Sequence, residues 1–104
     1  MNANVREWLV NEVIGMEDEE LLASLYADYL STFDDVITSA RLQIASGDFA
    51  ELDVTAHTLK GASLAVGDTE VYEASLVLRD AAKASDAAGV ASAEETIESL
   101  RAAR

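Results

Sequence analysis

Apolar residues recur every three or four positions along most of the chain, which is the spacing of one face of an α-helix. The first segment with this pattern is short and ends at Gly15, a residue typical of helix ends. We expect this segment to cap one end of a helical bundle. Its apolar positions are Val5, Trp8, Leu9 and Val13.

The second segment is the longest and opens with four consecutive acidic residues, Glu17 to Glu20. Negative charge at this point suits the positive end of a helix dipole. The apolar stripe then continues to Ser46 and Gly47, so the pattern predicts one helix over about residues 18 to 46. The stripe consists of Leu22, Leu25, Tyr29, Phe33, Val36, Ala40 and Ile44.

A third helix is predicted between Asp48 and Gly67. Asp48 is followed three positions later by Glu51, which resembles a capping box at a helix start. Gly67 is a natural stop. The stripe between them consists of Phe49, Leu52, Ala56, Leu59, Ser63 and Val66.

Two further helices are predicted from the same signals. Asp68 or Thr69 can cap the fourth helix, and Asp86 can cap the fifth. A second possible start of the fifth helix lies after Gly89, where Ser92 to Glu95 has the capping-box pattern. The expected buried positions are Val71, Ala74, Leu78 and Ala81 in the fourth helix and Val90, Ala93, Ile97 and Leu100 in the fifth.

The predicted fold class is all-α. Short connections make successive helices antiparallel neighbours, which gives an up-down four-helix bundle with an additional short N-terminal helix. The chain contains no proline, and its 104 residues fit one domain over residues 1–104. Met1 and this compact length favour a free-standing protein, although a fragment and any oligomeric state remain open.

Charge narrows the possible functions. The net charge of −13 disfavours nucleic acid and an anionic membrane surface as partners, since both require clustered lysine and arginine. Cysteine is absent, so no disulfide or zinc-thiolate site can form. The first 16 residues lack a signal-peptide pattern, and no apolar run approaches the roughly 20 residues needed to cross a bilayer. We therefore expect a cytoplasmic location.

His57 is the only histidine in the chain. At about 100° per residue, it lies opposite the apolar stripe of the third helix, with Gly61 about 40° and Leu64 about 20° away. Lys60 and Val54 lie about 60° to either side. An exposed imidazole is therefore expected beside one cation, one missing side chain and two apolar groups.

Each of these neighbours has a use in phosphoryl chemistry. Lys60 is the only basic residue between Arg41 and Arg79, and it would attract a phosphoryl group. Gly61 costs up to about 1 kcal/mol in a helix but leaves room for a partner. Val54 and Leu64 would form a docking patch. A single exposed histidine usually has no function, so the hypothesis depends on the joint arrangement of these residues on one face.

The segment Ala56 to Gly67 closely resembles the signature of histidine-containing phosphotransfer (HPt) domains of two-component phosphorelays. The shared features are the histidine, lysine and glycine at plus three and plus four, a small residue at plus six, and a second glycine at plus ten. Two positions depart from the family pattern: Val71 replaces a usual leucine, and Arg79 with Asp80 replaces a pair that more often contains glutamate. These departures concern specificity rather than class.

The resemblance implies that His57 accepts a phosphoryl group from a receiver-domain aspartate and passes it to another. Lys60 would then hold the phosphoryl group, and Gly61 would give clearance to the partner. The implied partners are response-regulator receiver domains and a hybrid sensor histidine kinase. No cofactor of its own is expected, because Mg²⁺ would lie on the receiver domain. The chain has no glycine-rich phosphate loop, which favours a phosphocarrier over a kinase.

Two alternatives use the same sequence differently. A helical docking module could bind a receiver domain or a kinase without being phosphorylated. A metal enzyme built on a four-helix bundle is disfavoured, because such sites require inward-facing Glu-x-x-His pairs and the chain has a single histidine, with Val54 three positions before it.

Overall fold

A computed structural model describes all 104 residues, and most of them lie in five α-helices. No strand is present, so the expected all-α class is confirmed. The helices are α1 (Ala3–Trp8), α2 (Glu19–Ser46), α3 (Phe49–Ala65), α4 (Thr69–Lys83) and α5 (Ala87–Ala102), and a π-helical segment (Leu9–Ile14) continues directly from α1.

Each of the four long helices begins at an aspartate whose side chain accepts a backbone N–H three residues later, which satisfies one of the free donors of the first turn. Asp86 is the cap of α5, so the later start at Ser92 is wrong. The capping box of α3 is half formed. Asp48 accepts from the Glu51 amide, but its own N–H donates to the Gln43 carbonyl instead of the Glu51 side chain.

The four long helices form a closed ring of neighbours. Helices α2 and α4 each pack against both α3 and α5. The molecule measures 44 × 20 × 18 Å, and its long dimension matches a 28-residue α2 at about 1.5 Å per residue. Most of the predicted stripe residues are buried, while Leu25, Ile44, Phe49 and Leu100 are half-buried at the edge of the core.

The N-terminal segment lies at the end of the bundle where α3 passes to α4. Val5 and Leu9 are fully buried in the common core, and the Trp8 indole Nε1–H donates to the Ala65 carbonyl over 3.1 Å. The capping role expected for this segment is therefore confirmed. Val13 departs from the prediction and is 51% exposed. In this π-helical segment Val10 and Ile14 pack partly buried against the core in place of Val13.

None of the helices combines the length and apolar character that crossing a bilayer requires.

Candidate functional site

His57 lies in the middle of α3, on the face turned away from the core, and its side chain is exposed. The opposite face of the same helix is buried through Leu52, Ala56, Leu59 and Ser63. Ser63 is tolerated there because its hydroxyl donates back to the carbonyls of Leu59 and Lys60. The packing of α3 between α2 and α4 therefore fixes the helix and presents the imidazole to solvent, as the helical phase predicts.

Gly61 lies one turn after His57 on this exposed face. A Cβ added at Gly61 would have no neighbouring atom within 4 Å, so nothing inside the protein requires a glycine here. Gly67 is different, because its φ of +70° and the Trp8 ring both require the absence of a side chain. The free space at Gly61 faces outward, where an approaching molecule can use it.

Val54 and Leu64 flank the histidine before and after it in the helix. Their side chains are 58% and 55% exposed, although both are apolar. They make the surface beside the imidazole apolar, and Gly61, which has no side chain, leaves open space there. This arrangement agrees with the predicted placement of all three residues around His57.

Lys60 is half-buried against the bundle, and its ammonium group has no carboxylate within salt-bridge distance. The same is true of Lys83 at the end of α4. Every arginine of the chain, by contrast, forms an ion pair. In a protein with a net charge of −13, the two lysine and arginine side chains without a carboxylate partner are therefore Lys60 on α3 and Lys83 on α4.

The structure adds two residues to the site that the sequence argument did not select. Arg79 on α4 donates its Nε–H to the Asp53 Oδ1 over 2.9 Å, and Asp53 lies one helical turn before His57. The hydrogen bond from Arg79 is the main reason why the pKa of Asp53 lies below its usual range, and the charges of Lys83 and His57 lower it further. The spacing of four between Asp53 and His57 was visible in the sequence. The ion pair of Asp53 with Arg79, 26 residues later, was not.

The remaining carboxylates do not converge on a common point. No group of three or more histidine, aspartate or glutamate side chains has an arrangement that could hold a metal ion. The acidic residues are instead spread over helix starts, where five aspartate or asparagine side chains cap backbone amides, and over surface ion pairs.

Comparison with sequence models of protein families matches residues 24–103 to the Hpt domain. This match covers most of the chain, including the whole of α3, α4 and α5, and the chain therefore belongs to the Hpt domain family. Hpt domains have a histidine phosphotransfer role in phosphorelays, where they work with receiver domains and kinases. Neither the curated proteins nor the solved structures contain a match to this chain.

Proposed function

We propose that this protein is a phosphocarrier in which His57 accepts a phosphoryl group from the aspartyl phosphate of one receiver domain and transfers it to the aspartate of another. The observation that carries the proposal is the exposure of the single histidine within the Hpt family segment. No other imidazole in the chain can take its place.

The transfer requires little covalent chemistry from this protein. An unprotonated ring nitrogen attacks the phosphorus atom, the N–P bond forms, and the P–O bond to the receiver breaks with its electron pair going to the aspartate carboxylate. The second transfer is the same exchange with a new aspartate as acceptor. An imidazole is largely unprotonated near neutral pH, so no assisting base is needed. The loose transition state gains most from correct placement and from cations near the phosphoryl oxygens.

The neighbours of His57 have separate parts in this proposal. Lys60 carries an unpaired positive charge one turn beyond the histidine, and it stabilises the phosphoryl oxygens. Gly61 gives clearance to the active-site loop of the receiver domain. Val54 and Leu64 provide apolar contacts during the short-lived complex.

The partners in this proposal are response-regulator receiver domains and a hybrid sensor histidine kinase. The Mg²⁺ ion that phosphoryl transfer uses would be supplied by the receiver domain. We also propose a cytoplasmic location, with which the absence of cysteine is compatible.

The direct test is transfer of label from radioactively phosphorylated receiver domains, profiled over all receivers of the source organism at short times. We expect one receiver to label the protein rapidly, and the label should be lost in acid and retained in base. His57→Gln should abolish labelling. Labelled His57→Gln would show that another residue accepts the phosphoryl group.

The same assay separates phosphotransfer from a docking module that is never phosphorylated. For a docking module, the wild-type protein would stay unlabelled by every receiver, and His57→Gln would keep both receiver binding and pathway output. For a phosphocarrier, His57→Gln keeps binding but loses output. Gly61→Trp should weaken binding in both cases, so it reports on the surface rather than on the chemistry.

A further inference from the structure

Arg79 uses only one of its hydrogen-bond donors inside the protein. Its Nε–H donates to Asp53, and neither terminal amino group has an acceptor. Arg6, Arg101 and Arg104 each bind their carboxylate partners through two nitrogens. The Arg79 side chain is nevertheless only 20% exposed, so its guanidinium is held in place with the fork of terminal amino groups unoccupied.

The position of the Arg79 guanidinium relative to His57 follows from its hydrogen bond to Asp53 and from helix geometry. Side chains in an α-helix lean toward the N-terminus of their own helix. The His57 ring therefore lies over the preceding turn of α3, which contains Asp53. Helix α4 runs antiparallel to α3, and the Arg79 guanidinium lies beside the Asp53 carboxylate at this turn of α3. The imidazole and the guanidinium consequently both lie beside Asp53 on the α3–α4 surface.

Two lysines without a carboxylate partner lie on the same two helices. They are Lys60 and Lys83, the two basic side chains without a carboxylate partner, on the helices that carry His57 and Arg79. The carboxylate of Asp53, one turn before His57, is already paired with Arg79. The lowered pKa of Asp53, caused first by Arg79 and then in part by Lys83 and His57, agrees with a single neighbourhood of charges. A guanidinium fork matches two oxygens of a phosphoryl group, which a lone ammonium group cannot do.

We propose that Arg79, positioned by Asp53, binds two phosphoryl oxygens on phosphorylated His57 through its terminal amino groups. Arg79 is then a phosphoryl-binding residue in addition to Lys60, and Asp53 is a positioning residue that acts through Arg79. The inference rests on the proposed phosphorylation of His57. Arg79 contributes hydrogen bonds only, so the bonds that form and break in the transfer are unchanged.

The test labels the full chain chemically with phosphoramidate, which phosphorylates imidazole without a receiver domain. The pH midpoint of the phosphoryl resonance is then measured by phosphorus NMR on the folded protein. Binding of the dianion by Arg79 lowers this midpoint, so Arg79→Gln should raise it by about one pH unit. Arg79→Lys keeps the positive charge but not the fork, and it should raise the midpoint by a smaller amount.

Controls separate this role from a structural one. Arg101→Gln removes an arginine of similar exposure that pairs with Asp34 between α2 and α5, and it should leave the midpoint unchanged. An unchanged midpoint in Arg79→Gln would overturn the proposal, and a wild-type midpoint in Arg79→Lys would show that the fork has no part. Asp53→Ala should change the midpoint differently in the wild-type and Arg79→Gln backgrounds. Equal changes in both backgrounds would show that Asp53 contributes only its charge.

Failure of this inference and failure of the proposed function give different results. If no receiver exchanges phosphoryl groups with the protein, the relay proposal fails, but chemically labelled His57 still reports on Arg79. If transfer is rapid and the midpoint in Arg79→Gln equals that of the wild type, the relay function stands without the second phosphoryl-binding residue.

Discussion

Arg104 and Asp68 form a two-fold hydrogen-bonded ion pair at the end of the bundle, with both N–O distances at 2.9 Å. Their side chains are only 5% and 2% exposed. The Tyr29 hydroxyl donates to the same carboxylate over 2.8 Å. Burial by itself raises the pKa of Asp68, but the hydrogen bonds from Arg104 and Tyr29 outweigh it and hold the pKa below its usual range. Asp68 also caps α4, so this pair joins the last residue of the chain to the start of the helix after the His57 segment.

Removing Arg104 should destabilise the protein strongly, because it leaves a buried carboxylate without its cation. We expect Arg104→Gln to lower the free energy of unfolding by about 3 kcal/mol, measured by urea denaturation at pH 7. Arg101→Gln is the matched control, since Arg101 also binds an aspartate through two nitrogens, but the pair is more exposed, at 29% for Arg101 and 56% for Asp34. Its cost should stay below about 1 kcal/mol. Equal costs for the two variants would show that burial of the Asp68 pair has no energetic effect.

Glu94 should make stability depend on pH near neutrality. Burial is the main reason why its pKa is raised to about 7, and the hydrogen bond and repulsion with Glu98 add to it. Its Oε1 is buried without a partner. The folded state holds the Glu94 proton more tightly than the unfolded state does. The contribution of this proton to the free energy of unfolding is therefore complete below the unfolded pKa near 4.5 and is lost as the pH rises through about 7.

The expected measurement is the free energy of unfolding at pH 5 and pH 8. The wild type should lose about 1 kcal/mol more than Glu94→Gln over this interval, a value reduced for partial solvent screening. Glu95→Gln changes an exposed neighbour on the same helix and should behave as the wild type does. A Glu94→Gln variant with the same pH dependence as the wild type would contradict the assignment.

Gly61 should be replaceable for folding but not for docking. No atom would contact an added Cβ there, so Gly61→Ala should raise the free energy of unfolding by up to about 1 kcal/mol through reduced flexibility of the unfolded chain. Gly61→Trp should keep the fold and slow phosphoryl transfer from the receiver. Thermal melting and transfer rates measured on the same samples check both effects.

Gly67 is the contrasting position. Its φ of +70° and the close Trp8 ring predict that Gly67→Ala destabilises the protein by about 1 to 3 kcal/mol. If Gly61→Ala destabilised the protein as much as Gly67→Ala, the open space at Gly61 would not exist in solution.

Val54 should matter for receiver binding, whereas a valine with the same exposure elsewhere should not. Val54 and Val77 are each 58% exposed, but Val77 lies on α4 beside Gly89 and Ser92 of α5. Val54→Asp should weaken receiver binding about tenfold by placing a charge in an apolar contact, and Val77→Asp should leave it unchanged. Calorimetric titration with the identified receiver provides the measurement. Similar losses in both variants would point to net charge rather than to a docking patch.

Much of the fold was predictable because helix periodicity and capping are local. Aspartates at helix starts and glycines at positions 47 and 67 fixed most helix bounds, since their side chains or positive φ angles act within a few residues. The start of α5 was ambiguous because two local capping signals competed. The exposure of Val13 was not predictable, because the spacing of apolar residues does not show that Val10 and Ile14 pack against the core instead.

The spacing of apolar residues was enough to predict which face of α3 is buried, and therefore that His57, Lys60 and Gly61 lie together beside Val54 and Leu64. This follows from a fixed rotation per residue along one helix. The contacts that other elements make with α3 and with the start of α4 became known only from the folded chain: Arg79 with Asp53, Trp8 with Ala65, and Arg104 with Asp68. These pairs depend on the register between antiparallel helices, which is set by packing of the whole core rather than by any local pattern.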